Sequence, residues 1–271
     1  MRGLWLVYYT MREMLVQRVI LLLVAVLTVV IGIFIFTIHF KATSGVIETV
    51  SIYGSRPTAL TGYSPYLADI FIGFIFTATV VLCIIATAHV IPEFLTNGTV
   101  ELFLSRPISR HAILFARYFG VVLGTMLIQL YLIAACWVVF SLKVGAWDVL
   151  FPLSVLPLSL AFSSIYVWVV LLGVYFRSTS LSATAAFLYV VFLGELLASQ
   201  GKSVHSFGEA DILHKLIVLL YYVLPQAADL RECAAQLLKG QPIAFYPLIL
   251  ALFSSASIFG VAALRFRRSD F

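Results

Sequence analysis

The residues of this chain whose types and spacing suggest chemistry are concentrated in one polar segment, Pro92 to Arg117, which reads PEFLTNGTVELFLSRPISRHAILFAR. Two glutamates, three arginines and a Gly-Thr pair lie here between two long apolar runs. Because charged side chains are costly in hydrocarbon, the segment must lie outside the bilayer that the flanking runs would occupy. It is either a surface with a task outside the membrane or an ordinary basic loop set by membrane topology.

Local signals divide the polar segment into short helices at the membrane surface. Pro92 is a good first helical residue, and Asn97-Gly98 is a turn or helix-stop signal. Thr99 can cap a second, leucine-rich helix, which ends before Pro107 because the residue preceding proline disfavours the α region. Ser109 is a suitable N-cap for the helix that continues into the next apolar run.

Motifs of nucleotide-binding and hydrolytic enzymes are missing. An ATP-binding loop needs GxxxxGK[ST], and Gly201 to Ser203 ends like one, but Leu196 stands where the first glycine is required. The chain contains neither HExxH nor GxSxG, which disfavours an intramembrane protease or hydrolase. Cys83, Cys136 and Cys233 have no spacing typical of a metal site.

The composition is that of a polytopic membrane protein, with 62% hydrophobic and 11% charged residues. A span needs about 20 apolar residues. Pro152 and Pro157 should kink the fourth span near its start. The apolar run 216–224 is too short to cross and fits a re-entrant or interfacial helix. The predicted spans cover residues 19–40, 70–91, 118–142, 149–176, 181–198 and 243–264.

The distribution of basic residues orients these spans. With six spans and both termini inside, the inner side holds ten of the 17 Lys and Arg residues and four of the 12 acids. Short cytoplasmic segments rich in Lys and Arg are typical of inner-membrane proteins. We therefore expect both termini and the segment 92–117 in the cytoplasm, and residues 199–242 outside as short helices packed on the outer mouth.

The first 18 residues predict an amphipathic interfacial helix that leads directly into the first span. Its polar residues Thr10, Arg12, Glu13 and Gln17 lie away from an apolar stripe. The helix is either a membrane anchor or a sliding element that brackets the bundle. The stripe consists of Leu4, Val7, Tyr8, Met11, Met14 and Leu15.

Small and polar residues inside the spans suggest two further interpretations. Gly120 and Gly124 form a GxxxG pair, which permits close helix packing within the chain or across a dimer. Four residues of the fourth span could line a path for an amphipathic substrate, or could be ordinary packing residues. They are Ser163, Ser164, Tyr166 and Trp168.

The segment 93–120, with its core NGTVELFLSRPISR, resembles the coupling region of ABC type-2 exporter permeases. Their pattern is an acid, a Gly-Thr pair, a leucine-rich helix and Arg-Pro-Ile-Ser-Arg before the third span. The ending LRFRRSDF and the stretch LLYYVLPQAADL before the last span are also similar to these permeases. One departure is Phe94-Leu95, where a charged residue often follows the glutamate, and this could alter how the loop meets its partner.

The resemblance implies that a short cytoplasmic helix docks into a groove on a separate ATP-binding subunit. An amphipathic helix in a groove presents apolar anchors with charged flanks, and the residues here fit that description. The candidates for docking and coupling, by match to the family pattern, are Glu93, Gly98, Thr99, Glu101, Leu102, Leu104, Arg106 and Pro107.

The sequence and the resemblance together lead to one expected architecture and role. We expect an all-α membrane protein in which residues 1–271 form a single permease domain with six transmembrane helices. It would be the non-enzymatic permease subunit of an ATP-binding-cassette exporter in a bacterial-type inner membrane. The alternative is a non-transporting membrane subunit that transmits ATP-driven motion to an outer partner.

The expected partners follow from the same resemblance. They are an ATP-binding subunit, a second permease subunit in a homodimer or heterodimer, and the lipid bilayer, without nucleic acid. ATP and Mg would be bound by the partner, and this chain is expected to bind no cofactor or metal of its own and to have no catalytic residues.

Overall fold

The computed structural model describes residues 2–43, 46–52, 58–59, 110–144, 147, 149–176, 178–190, 224–225, 227–238, 242 and 244–268, together with part of 73–90. Helices make up nearly all of this part of the chain. They are α1 (Arg2–Val16), α2 (Arg18–Thr37), α3 (Arg110–Val144), α4 (Leu150–Leu153), α5 (Val155–Phe176), α6 (Thr179–Leu188), α7 (Ala227–Leu238) and α8 (Phe245–Arg268).

Three helical stretches among the described residues are long and apolar enough to cross a membrane: His111–Val139, Leu150–Phe176 and Phe245–Arg267. They correspond to the predicted third, fourth and sixth spans. A fourth is added if α1 and α2, which bend by 61° at their junction, are taken as one broken span. The chain therefore has the helices of a membrane protein.

The remaining predicted spans are described only in part. Residues 76–81 and several others up to 90 are helical, within the predicted second span. The predicted fifth span begins with α6, an apolar helix of ten residues, and 191–198 lie outside the described residues. So do 216–223 of the run expected to be re-entrant or interfacial.

A small antiparallel sheet follows α2, which the all-helical expectation did not include. Its strands are β1 (Ile38–Thr43), β2 (Val46–Ile52) and β3 (Thr58–Ala59), in that order. The register of β1 on β2 shifts between Lys41 and Ala42. Helix α2, which covers most of the predicted first span, accordingly ends at Thr37 and not at Phe40. β-Branched residues recur through β2, and such residues favour a pleated strand over a helix.

The expected proline kink is a break between α4 and α5. Pro157 has no amide hydrogen to donate to the carbonyl of Leu153, so the helical ladder is interrupted there. At the break, Ser154 closes the end of α4, because its backbone N–H and its hydroxyl both donate to the carbonyl of Phe151, at 3.2 and 2.7 Å. The break leaves Leu153, Leu156 and Pro157 on the wall of a cavity.

Helix α5 is the centre of the described bundle. Its residues Phe162, Tyr166, Val167 and Val170 are fully buried. It packs against α3, α6, α7 and α8, whereas α1 packs along α3. Helix α3 therefore lies between α1 and the core, with one face in contact with each.

Candidate functional site

The residues expected to dock on an ATP-binding subunit lie outside the described residues, and the structure begins again at the first residue of α3. Arg110 opens that helix, directly after the position predicted to be its N-cap. From Arg110 onward, α3 is held by α1 on one face and lines a cavity on another. The predicted docking residues that fall outside the described part of the chain are Glu93, Gly98, Thr99, Glu101, Leu102, Leu104, Arg106 and Pro107.

Helix α1 lies in a notch that the GxxxG pair forms on α3. A Cβ atom added to Gly120 would stand 2.6 Å from the Cβ of Thr10 and 3.0 Å from the backbone oxygen of Val7. A Cβ atom added to Gly124 would stand 2.8 Å from the Sδ of Met14. Of the two interpretations of the pair, close packing within the chain is the one that the structure shows.

The buried face of α1 differs from the expected stripe. Leu6, Thr10 and Met14, spaced four residues apart, are buried, whereas Tyr8 is 56% exposed. Thr10 was expected on the polar side. It fits because the missing Cβ of Gly120 leaves space for it, and because its hydroxyl donates to the carbonyl of Leu6 at 3.0 Å. Apolar periodicity could not show this, since the deciding feature is a notch on another helix.

An ion pair joins α1 to α3 one turn before the notch. A guanidinium nitrogen (Nη1) of Arg117 donates to a carboxylate oxygen (Oε2) of Glu13 at 2.6 Å. The side chain of Arg117 is 9% exposed and that of Glu13 is 44% exposed. A guanidinium this deeply buried needs a carboxylate partner. Together with the notch, the pair clamps α1 onto the first turns of α3.

A cavity of about 690 Å³ lies on another face of α3, between α3, α4, α5, α7 and α8. Its volume is in the range of small-molecule sites, and its wall is mainly aromatic and aliphatic. The lining residues are Phe115, Tyr118, Phe119, Val122, Leu153, Leu156, Pro157, Ser159, Leu160, Ser163, Cys233, Leu237, Leu248, Leu252, Ser255, Ala256 and Phe259.

The polar groups on the cavity wall are few and uncharged. The hydroxyls of Tyr118 and Ser163 are 2.6 Å apart, which ties α3 to α5. Ser255 on α8 is 7% exposed, and its hydroxyl has no hydrogen-bond partner among the described residues. Burial raises the pKa of the Cys233 thiol, and the nearby Asp229 and Glu232 carboxylates raise it further, so this thiol stays neutral near pH 7.

The four residues proposed for a substrate path separate into three environments. Only Ser163 lines the large cavity. Ser164 is buried and donates to the carbonyl of Ala161 at 2.9 Å, and Tyr166 is buried behind Tyr118. Trp168 lines a second, smaller cavity of about 140 Å³ beside α6. The structure therefore does not place these four side chains along one path.

Sequence reasoning missed the residues that complete the site. In the sequence, Tyr118 was only the first residue of the predicted third span, and Ser255 was only one residue of the apolar run predicted to be the last span. Glu13 and Arg117 were noted only as inner charges. Helical spacing shows which residues share a face of one helix, but it does not show which helix packs on that face. The sequence offered only the position of Arg117, next to the start of a predicted span, where an arginine needs a carboxylate partner if packing buries it.

Comparison with known proteins gives one family. A family model described as "Protein of unknown function (DUF2705)" matches residues 51–271, which is most of the chain. A search of curated proteins gives no match to the chain.

Proposed function

Since the chain belongs to the DUF2705 family, whose description assigns no activity, we propose its function from its own residues: it is the membrane-spanning permease subunit of an ATP-binding-cassette exporter. It would move a substrate across the membrane with ATP that a separate subunit hydrolyses. Residues 93–107 would be the docking helix for that subunit. The resemblance of the segment NGTVELFLSRPISR to exporter coupling regions is the basis in sequence for this proposal.

The observation that carries the proposal is the position of α3. The helix begins at Arg110, three residues after the proposed docking helix, and runs without interruption to Val144. At the usual rise per residue its 35 residues extend about 50 Å, more than the thickness of the hydrocarbon core. One face of this helix carries α1, and another lines the cavity through Phe115, Tyr118 and Phe119.

This arrangement supports a mechanical connection between the docking segment and the cavity. A force applied to residues 93–107 acts on the first turns of α3, where the Glu13–Arg117 pair and the glycine notch hold α1. Because the two helices are packed without space between them, they should move as one body. Their displacement changes the cavity wall at Tyr118, whose hydroxyl forms a hydrogen bond with that of Ser163 on α5.

The chemistry of ATP hydrolysis belongs to the partner in this proposal. The partner would bind ATP and Mg, and this chain would supply the docking helix, the moving helix pair and the substrate route. The subunit would act with a second permease subunit, as the resemblance implies, with the docking segments of both copies in the cytoplasm of a bacterial-type cell.

The test is reconstitution in liposomes with candidate ATP-binding-cassette subunits from the same genome, beginning with any that is encoded near the gene for this chain. We expect no ATPase activity from the chain alone and membrane-dependent ATPase activity from the complex. The double variant Glu93→Ala/Arg106→Ala should weaken subunit association and lower the coupled activity at least severalfold. Glu232→Ala, which removes an exposed glutamate of α7, is the matched control and should retain both.

Two outcomes would contradict the proposal. ATPase activity in the purified chain alone would show that the motor is not separate. Unchanged association and hydrolysis in the double variant would show that residues 93–107 are not the coupling element. Coupled hydrolysis without movement of any substrate class would favour the alternative, a non-transporting subunit that acts on an outer partner.

A further inference from the structure

The hydroxyl of Ser255 is the unusual polar group of the large cavity. Its neighbours on α8 satisfy their hydroxyls within the helix: Ser254 donates to the carbonyl of Ala251 at 3.2 Å, and Ser257 to that of Phe253 at 2.8 Å. Ser255 is more than nine-tenths buried, lines the cavity, and has no such partner in the part of the chain that the structure describes. A buried hydroxyl without a partner is unfavourable, so a ligand that supplies one is favoured.

The other hydroxyls of the cavity wall are already engaged. Ser159 donates to the carbonyl of Leu156 at 3.0 Å, and Tyr118 and Ser163 bond to each other. The lining contains no Asp, Glu, Lys or Arg residue. Among the described residues, Ser255 is therefore the lining hydroxyl whose hydrogen-bonding capacity is unused, and a charged ligand would find no oppositely charged side chain in the lining.

The cavity wall extends along α8. The lining residues of α8 run from Leu248 to Phe259, which corresponds to about 16 Å of helix, or roughly half of a bilayer's hydrocarbon core. Phe115, Leu156 and Leu252 lie on its wall, and each is at least half exposed. In a membrane these exposed apolar side chains face lipid, so the cavity opens sideways to the bilayer.

We propose that this cavity binds an uncharged, elongated lipophilic molecule that enters from the bilayer and places one neutral hydrogen-bonding group against Ser255. The molecule's apolar length lies along α8 and α5. A hydroxyl or carbonyl group completes the hydrogen bonding of Ser255, which can act as donor or acceptor. The inference deepens the proposed function, and it depends on that function only in making the bound molecule the cargo.

The probe for the experiment is a long-chain primary alcohol with a photoreactive diazirine in its chain. The full chain in lipid nanodiscs is cross-linked, and the adducts are located by mass spectrometry. We expect saturable labelling on α8 near residues 252–259 and on α3 near 115–122. The unmodified alcohol should compete, the alkane of equal length should compete about two- to tenfold more weakly, and the corresponding alkyl sulfate, which stays charged near pH 7, should not compete.

The substitution Ser255→Ala makes the test specific. It should remove the difference between alcohol and alkane as competitors, because it removes the group that distinguishes them. Ser257→Ala, a matched exchange on the same helix outside the cavity lining, should keep that difference. Equal competition by alcohol and alkane in the unmodified chain would overturn the assignment of Ser255.

A cavity-filling variant tests the site independently of Ser255. Ala256 is exposed and lines the cavity, so Ala256→Phe can narrow it without disturbing the buried core. We expect saturable labelling to be weakened in Ala256→Phe and unchanged in Ser257→Phe. Undiminished labelling in Ala256→Phe would mean that the probe reports only lipid exposure, and would overturn the proposal.

Binding to the cavity is measured without any ATP-binding subunit. The cavity ligand and the permease function can therefore be refuted independently of each other. Saturable binding in a chain that supports no coupled ATPase would refute the permease role alone. Coupled ATPase with no saturable binding would refute the cavity ligand alone.

Discussion

At the scale of single residues, the Glu13–Arg117 pair is the feature with the clearest physical requirement. Arg117 is buried at the start of a transmembrane helix, and it carries a charge that hydrocarbon does not solvate. Glu13 reaches it from α1 while remaining 44% exposed to solvent. The pair therefore ties a helix expected at the membrane interface to one that is long and apolar enough to cross the bilayer.

A double-mutant cycle tests this pair. We expect Glu13→Ala and Arg117→Ala each to lower the stability of the protein by about 1–2 kcal/mol, less than for a fully buried pair because Glu13 is partly solvated. The double variant should lose about 1 kcal/mol less than the two single losses added together. The measurement is thermal unfolding in detergent, followed by circular dichroism.

Arg12→Ala is the control for that cycle, because Arg12 is the exposed neighbour of Glu13 on α1. It should change stability by less than about 0.5 kcal/mol. Strict additivity of the Glu13 and Arg117 losses would show that the two side chains do not interact energetically.

At the scale of elements, the packing of α1 on α3 depends on two glycines that are not equivalent. The space beside Gly120 is closed by the Cβ of Thr10 and by the backbone of α1, neither of which can move alone. The space beside Gly124 is closed by the Sδ of Met14, near the end of a flexible side chain. Methionine adapts to such changes by changing its rotamer.

We therefore expect the same substitution to alanine to lower stability by different amounts at the two glycines. Gly120→Ala should lower stability by about 1–3 kcal/mol through overpacking, and Gly124→Ala by less than about 1 kcal/mol. The measurement is the unfolding midpoint in detergent, supported by limited proteolysis within α1, which should become faster in Gly120→Ala because α1 loosens from α3.

Gly260→Ala is the matched control, because a Cβ atom there would meet nothing within 4 Å. It should be neutral or stabilising by up to about 1 kcal/mol, as alanine is the better helix former. Equal losses at Gly120 and Gly124 would contradict the view that the neighbour's ability to move decides the cost.

At the scale of the whole molecule, helices α5 and α8 run in the same direction. The guanidinium of Arg265 lies over the ring of Tyr175, 5.0 Å from its centroid, so the carboxyl ends of α5 and α8 lie on the same side. Val149 precedes α4 at the opposite end of that broken helix. With the expected orientation, Val149 is outside and Arg267 is in the cytoplasm.

Cysteine labelling of sealed vesicles tests this topology. In a background without the three native cysteines, all of which are buried, Val149→Cys and Arg267→Cys should react with a membrane-impermeant maleimide from opposite sides. Leu252→Cys, which lies within a span, should react from neither side. Labelling of the first two positions from the same side would contradict the arrangement of α4, α5 and α8.

Much of the secondary structure could be predicted from the sequence, because uninterrupted apolar length, proline position and helix-start signals are local properties. The third and last spans, the break between Pro152 and Pro157, and a helix in the segment 199–242 are of this kind. The strands after Thr37 could not be predicted in the same way, since a short stretch that mixes β-branched and polar residues does not show by its periodicity whether it pairs with a neighbouring strand.

The sequence by itself determined that this is a membrane protein with a polar segment between apolar spans, because composition alone rules out a soluble domain. It also indicated that Gly120 and Gly124 permit close packing. Only the tertiary structure decided that α1 fills that notch, that Arg117 pairs with Glu13, and that Tyr118, Ser163 and Ser255 face one cavity. The physical reason is that periodicity defines faces within a helix, whereas a cavity is the space left between several helices whose relative rotation depends on how they pack.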